Sequence, residues 1–215
     1  MQASFFERIG AYFIDIIVIS LIISIITYAV PVSESTINED VDKLIVSVQN
    51  GELSRSEYME EYQRILYVSQ KENISNTILE LLVSIAYFIV FQYLNKGKTI
   101  GKLILGTKVV DANGCDPPTF YKMLLRELIP FGILSTTLSL ILINTLTKSN
   151  YLMCYETIRI IESIFIFASL ILISRKRLGL HDILSKTMVI KEERRWIYAW
   201  IYWSRINSPW ESWKT

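Results

Sequence analysis

The stretch IGAYFIDIIVISLIISIITYAV, Ile9 to Val30, is an apolar run broken by a single charged side chain, Asp15. A helix needs about 20 predominantly apolar residues to cross a bilayer, and this run has that length. Three more blocks repeat the pattern: Thr77 to Leu94, Leu128 to Leu146 and Ile158 to Ser174. Apolar residues make up 51% of the chain while 20% are charged, so the apolar residues are gathered into blocks rather than spread over a soluble core. The fold expected is an all-α membrane protein, a four-helix transmembrane bundle. The first block reads as a retained span rather than a cleaved leader, because Asp15 lies inside it, Pro31 follows it, and no small-x-small site ends it.

Lysine and arginine set the expected orientation. Lys96, Lys98, Lys102, Lys108, Lys122 and Arg126 cluster between the second and third blocks, and Arg175, Lys176 and Arg177 follow the fourth. Such flanks favour the cytosol. The segment after the first block is instead acidic, from Glu34 to Glu72, and is expected outside. Four spans with these signs put the N- and C-termini in the cytosol, in a cytoplasmic membrane. Cys115 and Cys154 then fall at or near opposite aqueous sides, so no intramolecular disulfide is expected.

The outer segment carries helix signals. Thr36 with Glu39, and Ser54 with Glu57, have the spacing of capping boxes, and Asn50-Gly51 stops the first helix. Val41, Leu44, Ile45 and Val48 form one stripe; Tyr58, Met59, Tyr62, Ile65 and Leu66 form another. The expectation is an extracytoplasmic helical hairpin within 31–76, its stripes packing on each other or on the span ends, or docking a membrane-protein partner. On the other side, Leu103 to Asp111 before Ala112-Asn113-Gly114, and Thr187 to Lys191, have strand character and pair in a small cytosolic β-pair. Residues 191–215 mix tryptophan and tyrosine with basic residues, the composition of an interfacial tail lying in the headgroup layer. The tail is the other candidate surface for a partner.

Asp15 is the most informative ionisable residue, because a carboxylate inside a span must be paired, hydrogen-bonded or protonated. Arg8 precedes it by two helical turns, about 10 Å on the same face. Arg126, the basic cluster Arg175 to Arg177, and His181 are further candidate partners. Two readings are open: a structural tie from the first span to the loops, or a cation or proton site. His181 is the only histidine, so neither a multi-histidine metal site nor a cofactor is expected; beside Asp182 it is either a polar bracket or a proton-exchanging group. Near the outer face, Glu80, Arg159 and Glu162 form a candidate second polar cluster. Gly97 to Lys102 lacks the full spacing of a phosphate loop and reads as a turn or in-plane segment at the lipid surface. No nucleophile, base and orienting group stand at usable spacing, so an enzyme is not expected. The near-zero net charge of +1, with no basic aromatic block away from the membrane flanks, excludes nucleic acid as the expected partner.

Three of these features resemble one family. Arg8-Ile9-Gly10-Ala11-Tyr12-Phe13-Ile14-Asp15, the loop Gly97-Lys98-Thr99-Ile100-Gly101-Lys102 with Val109-Val110-Asp111 and Gly114, and Arg175-Lys176-Arg177-Leu178-Gly179-Leu180-His181-Asp182 together are similar to the RDD family of small bacterial integral membrane proteins. That family is named for an arginine and two aspartates, which the resemblance places at Arg8, Asp15 and Asp182; Lys102, Arg126, Arg175 and Arg177 are candidate supporting polar residues on the reading of the sequence itself. It implies a four-span domain over 1–190, with the outer hairpin and the 191–215 tail outside the common pattern. Some members are associated with monovalent cation and proton exchange, others with regulation of membrane partners. The favoured expectation is an accessory or regulatory protein acting through a membrane partner; the alternative is a monovalent cation/proton transporter using Asp15 and the inner polar cluster. A homo-oligomer and the lipid bilayer complete the candidate partners.

Overall fold

The computed structural model describes residues 1–29, 37–114 and 116–192. The first apolar block forms α1 (Phe5–Ala29), opening one turn earlier than its hydropathy suggests because Ser4 and Glu7 cap it reciprocally. The hairpin follows as α2 (Ile37–Gln49) and α3 (Arg55–Glu72). Gly51, at φ 72, takes the left-handed turn after α2, and Ser54 with Glu57 forms the capping box of α3. The stripes partly pack on each other: Leu44 and Ile65 are buried, whereas Ile45, Val46, Val48, Met59 and Tyr62 stay exposed. Thr36, with the cap expected there, Cys115, and the 191–215 tail beyond Glu192 lie outside the described residues.

After α3 the chain turns at Asn73 into α4 (Ile74–Ile85), which runs through a π-helical turn, Ala86–Phe91, into α5 (Gln92–Leu94). The wider turn brings Tyr87, Phe88 and Ile89 into the core in succession, which a regular α-helix face does not do. A short helix, α6 (Ile100–Ile104), leads into β1 (Thr107–Asp111), then α7 (Phe120–Glu127), α8 (Ile133–Thr145), α9 (Lys148–Lys176), α10 (Leu180–Ser185) and β2 (Thr187–Lys191). The expected first strand therefore starts late. Leu103 and Ile104 belong to α6, and Gly106, at φ 65, makes the turn into β1. The strand pair itself forms as expected, antiparallel, with Val109 opposite Val189.

Among the described residues, three helical segments are long and apolar enough to cross a membrane: Phe5–Tyr28, Ile74–Leu94 and Lys148–Lys176. The third apolar block, Leu128 to Leu146, forms a shorter helix than its sequence suggests. Pro130 and Gly132, the latter at φ 66, separate α7 from α8, leaving a 13-residue helix about 20 Å long. Exposed Phe13, Ile17, Leu21 and Ile25 on α1, and Ile160, Ile164 and Phe167 on α9, give the bundle the apolar exterior of a lipid-facing surface.

The bundle has two ends. At the hairpin end, fully buried Tyr151 of α9 hydrogen-bonds Ser139 of α8 at 2.8 Å and Gln70 of α3. At the sheet end, Ala3, Val109, Met123 and Val189 form a small apolar core under the helices. Between them Ile19, Tyr87 and Phe88 join α1 to the second span.

Candidate functional site: a buried polar cluster at the sheet end

Six ionisable side chains are buried together at the sheet end: Arg8, Asp15, Lys102, Arg126, Glu127 and Asp182. Three are cationic and three carboxylic. Asp182 sits in the first turn of α10, where it accepts the Gly179 N–H at 2.8 Å. Arg8 Nη1 donates to its Oδ2 at 2.6 Å, and Arg126 Nη1 donates to its Oδ1 and, at 2.9 Å, to Thr187 Oγ1. The chain of contacts continues through Arg126 Nε to Glu127 Oε1 at 3.1 Å, and from Gln92 Nε2 to the same oxygen at 2.9 Å. Lys102 Nζ closes it, donating to Gln92 Oε1 at 2.9 Å.

Asp15 stands apart from these cations. Tyr87 Oη donates to its Oδ1 at 2.6 Å, Thr99 Oγ1 to its Oδ2 at 2.5 Å, and the Gly101 N–H to Oδ1 at 2.8 Å. Asp15 thus ties the first span to the second, through Tyr87, and to the start of α6, through Thr99 and Gly101, by uncharged donors where Arg8, Arg126, the 175–177 cluster or His181 is the expected partner. Thr99 is also the N-cap of α6, accepting from Lys102 N–H, so one hydroxyl starts the helix and holds the carboxylate. Gly101 is required by this approach: a Cβ there would lie 2.2 Å from the Ala11 carbonyl oxygen and 2.9 Å from Asp15 Cγ.

Local electrostatics separate the groups outside the spans. Burial pushes the Asp182 carboxyl up, but Arg126 and Arg8 outweigh it and hold the group well below the usual carboxylate range. Burial pushes Lys102 down, and Arg126 adds to that, against Glu127. Arg126 is raised: burial opposes its charge, and Asp182 and Glu127 overcome it. Burial, helped by Arg126, lowers His181 to about 3, so the imidazole is neutral at physiological pH. The ring's neighbour on this side is neutral: Ser169 Oγ accepts from Leu180 N–H at 2.8 Å and lies 3.0 Å from His181 Nδ1. With the serine hydrogen directed to Nδ1, the network assigns the imidazole hydrogen to Nε2, which faces Asp182 Oδ1 at 3.7 Å.

A cavity of about 160 Å³ lies beside the cluster, between α1 and α9. Arg8, Asp15, Lys102, Arg126, Glu127 and His181 form part of its wall.

The other expected residues fall elsewhere. Arg175 and Arg177 are exposed at the end of α9, outside the cluster. Lys102 is buried rather than at the lipid surface, and Lys98 pairs with Glu192 at 2.6 Å, because acceptors on distant segments draw both lysines inward. At the hairpin end, Arg159 pairs with Glu162 at 2.9 Å and Ser135 donates to Glu162 at 3.1 Å, but Glu80 is exposed on α4 and does not join them. Sequence reasoning passed over Tyr87, Gln92, Thr99 and Thr187 as site residues. Gln92 alone carried a signal, as an amide near the end of an apolar block.

A helical membrane protein whose spans are tied together at one end by a buried, charge-balanced cluster, with an arginine and an aspartate on the first helix and a second aspartate after the last, is the class this geometry defines. The sequence profile of the RDD family matches residues 2–186, and the chain belongs to that family. No curated protein and no solved structure matches it.

Proposed function

We propose that this RDD-family protein is a non-enzymatic accessory or regulatory subunit that acts through a membrane-protein partner, with the α2–α3 hairpin as its contact and both termini in the cytosol. The observation that carries the reading is the hairpin's second apolar face. Leu44 and Ile65 satisfy the packing of the hairpin itself, yet Ile45, Val46 and Val48 remain exposed on α2, beyond the ends of the apolar spans. Contiguous apolar residues outside the bilayer are a contact surface in a stable protein. The sheet-end cluster fits a structural core for such a subunit, since Arg8, Arg126, Glu127 and Asp182 are spent on one another and Asp15 on uncharged donors.

The test is gentle extraction of the tagged protein from native membranes, followed by mass spectrometry against a detergent-matched control. A partner at comparable abundance, lost from the Ile45→Lys, Val48→Lys double variant, is the expected result. A homo-oligomer free of other proteins refutes it. Cation–proton exchange has one observation in its favour: Asp15, inside a span, borders the cavity. That reading requires pH-dependent cation flux in proteoliposomes, abolished by Asp15→Asn.

A further inference from the structure

Among the described residues, three buried side-chain polar atoms have no hydrogen-bond partner: Arg8 Nε, Asn76 Oδ1 and Thr107 Oγ1. Two of the three, Arg8 Nε and Thr107 Oγ1, belong to residues that line the cavity between α1 and α9 described above. Arg8 spends Nη1 on Asp182 and Nη2 on the Val189 carbonyl at 3.4 Å, leaving the Nε–H without an acceptor. Buried donors are satisfied in the great majority of proteins, so a pair left open beside one cavity calls for an occupant carrying acceptor oxygens.

The way in is from the bilayer. Tyr12 and Leu170 line the cavity and are 36% and 38% exposed, and both lie within membrane-crossing segments. Their neighbours Phe13, Phe167 and Ile171 are exposed apolar side chains. Phe165 and Ile166 make the wall apolar near the mouth, whereas Arg8 and Thr107 supply polar groups to it. Arg8 stands in the first turn of α1, which is headgroup depth for a span beginning at Phe5. Arg8, Lys102 and Arg126 line the wall with Asp15 and Glu127, and Asp182 behind the two arginines brings the cluster to neutrality, so the group offered to an anion is the open Arg8 Nε–H rather than a net positive charge. The volume of about 160 Å³ is that of roughly five waters, enough for a phosphodiester end but not for a whole lipid.

We infer that this cavity binds the phosphodiester headgroup of an anionic membrane phospholipid, received between α1 and α9, with Arg8 Nε and Thr107 Oγ1 donating to its oxygens and the acyl chains left between the two spans. The occupant bridges the seam between α1 and α9, where the protein's own polar groups leave donors open.

The full chain is reconstituted in nanodiscs containing equal amounts of phosphatidylglycerol and phosphatidylcholine, extracted, and examined by native mass spectrometry. One phosphatidylglycerol per chain is expected, retained about ten-fold over phosphatidylcholine, whose phosphodiester offers the same oxygens but brings a choline cation up to Arg8. Thr107→Val removes one donor at nearly constant volume and should weaken retention. Leu170→Trp blocks the mouth from a lipid-facing position and should abolish retention without lowering the melting temperature, which keeps the test independent of Thr107→Val. Equal retention of the two lipids, or undiminished retention by Leu170→Trp, overturns the proposal. So does equal thermal protection of the delipidated protein by inorganic phosphate and by phosphatidylglycerol, which would make free phosphate the ligand.

Discussion

Replacing Asp15 separates a structural carboxylate from a dispensable one. In the wild-type protein three donors converge on it: the Tyr87 and Thr99 hydroxyls and the Gly101 N–H, all buried at the contact. Asp15→Ala removes every acceptor at once. The two hydroxyls can rotate in search of others, but the Gly101 N–H is fixed by the backbone of α6. At about 1–3 kcal/mol for each buried group left unsatisfied, with the hydroxyls partly recovered, the substitution costs roughly 3–5 kcal/mol. Asp15→Asn keeps one oxygen for Tyr87 and Gly101, and its amide can donate to Thr99 once that hydroxyl turns round, so only the charge-assisted part is lost, about 1–2 kcal/mol. For a chain of this size about 1 kcal/mol shifts the melting temperature by 2–4 °C, giving a fall of roughly 10 °C for alanine and a few degrees for asparagine. Thermal unfolding in micelles, followed by a thiol-reactive dye, reads the difference. Equal melting of both variants and the wild type would refute the assignment of Asp15 as the acceptor that locks α1 to α6.

Gly101→Ala should destabilise the protein by at least as much as Asp15→Asn, because its Cβ meets the Ala11 carbonyl oxygen at 2.2 Å; a melting temperature within error of wild type would show that α6 stands off α1. His181 gives an acid-sensitive window. Its folded pKa of about 3 lies below its ordinary 6.5, so the unfolded chain binds a proton that the folded chain refuses, and stability falls as pH drops from 6.5 towards 3. The slope expected from this group is at most about 1.4 kcal/mol per pH unit, and His181→Gln should remove it between pH 6 and 4 in the same melting assay, in roughly the range where Asp182 stays ionised. A double-mutant cycle should find about 1–3 kcal/mol of coupling between Arg8→Ala and Asp182→Asn, which touch, and markedly less between Arg8→Ala and Asp15→Asn, which do not.

The spans, the hairpin and the strand pair were legible because each writes a periodic or positional signal over many residues. The run from Ile9 to Val30 holds Asp15 as its single charged residue, Ser54-x-x-Glu57 announces a helix start, and Thr187 to Lys191 is rich in strand-forming side chains. The family signature identified Arg8 and Asp182, which meet directly at 2.6 Å. What stayed hidden was the partner of Asp15. Charge invites a search for opposite charge, but the donors are a tyrosine hydroxyl, a threonine hydroxyl and a backbone N–H, 72 to 86 residues further along, and such groups occur everywhere in a sequence. The π-helical turn that carries Tyr87 inward leaves no local mark. Lys102 misled for the same reason: beside Gly101 and Lys98 it reads as a surface lysine, and only Gln92 and Glu127, brought over by two other helices, make its burial tolerable.

Charge balance in the cluster explains why its members come from so many segments. Three cations and three carboxylates are buried within contact reach of a low-dielectric span, where an unpaired charge costs several kcal/mol. No short stretch of chain can supply both signs at the required angles, so α1, α6, α7 and α10 each contribute part, and the cluster forms only when all four are docked. Neutralising a single member therefore strands its partner, and should cost more than removing both members of a pair. Arg8→Met together with Asp182→Leu leaves Arg126 facing Glu127, whereas Asp182→Leu alone leaves Arg8 and Arg126 short of an acceptor. The double variant should thus melt above the Asp182→Leu single, an order opposite to the one expected if each side chain contributed independently.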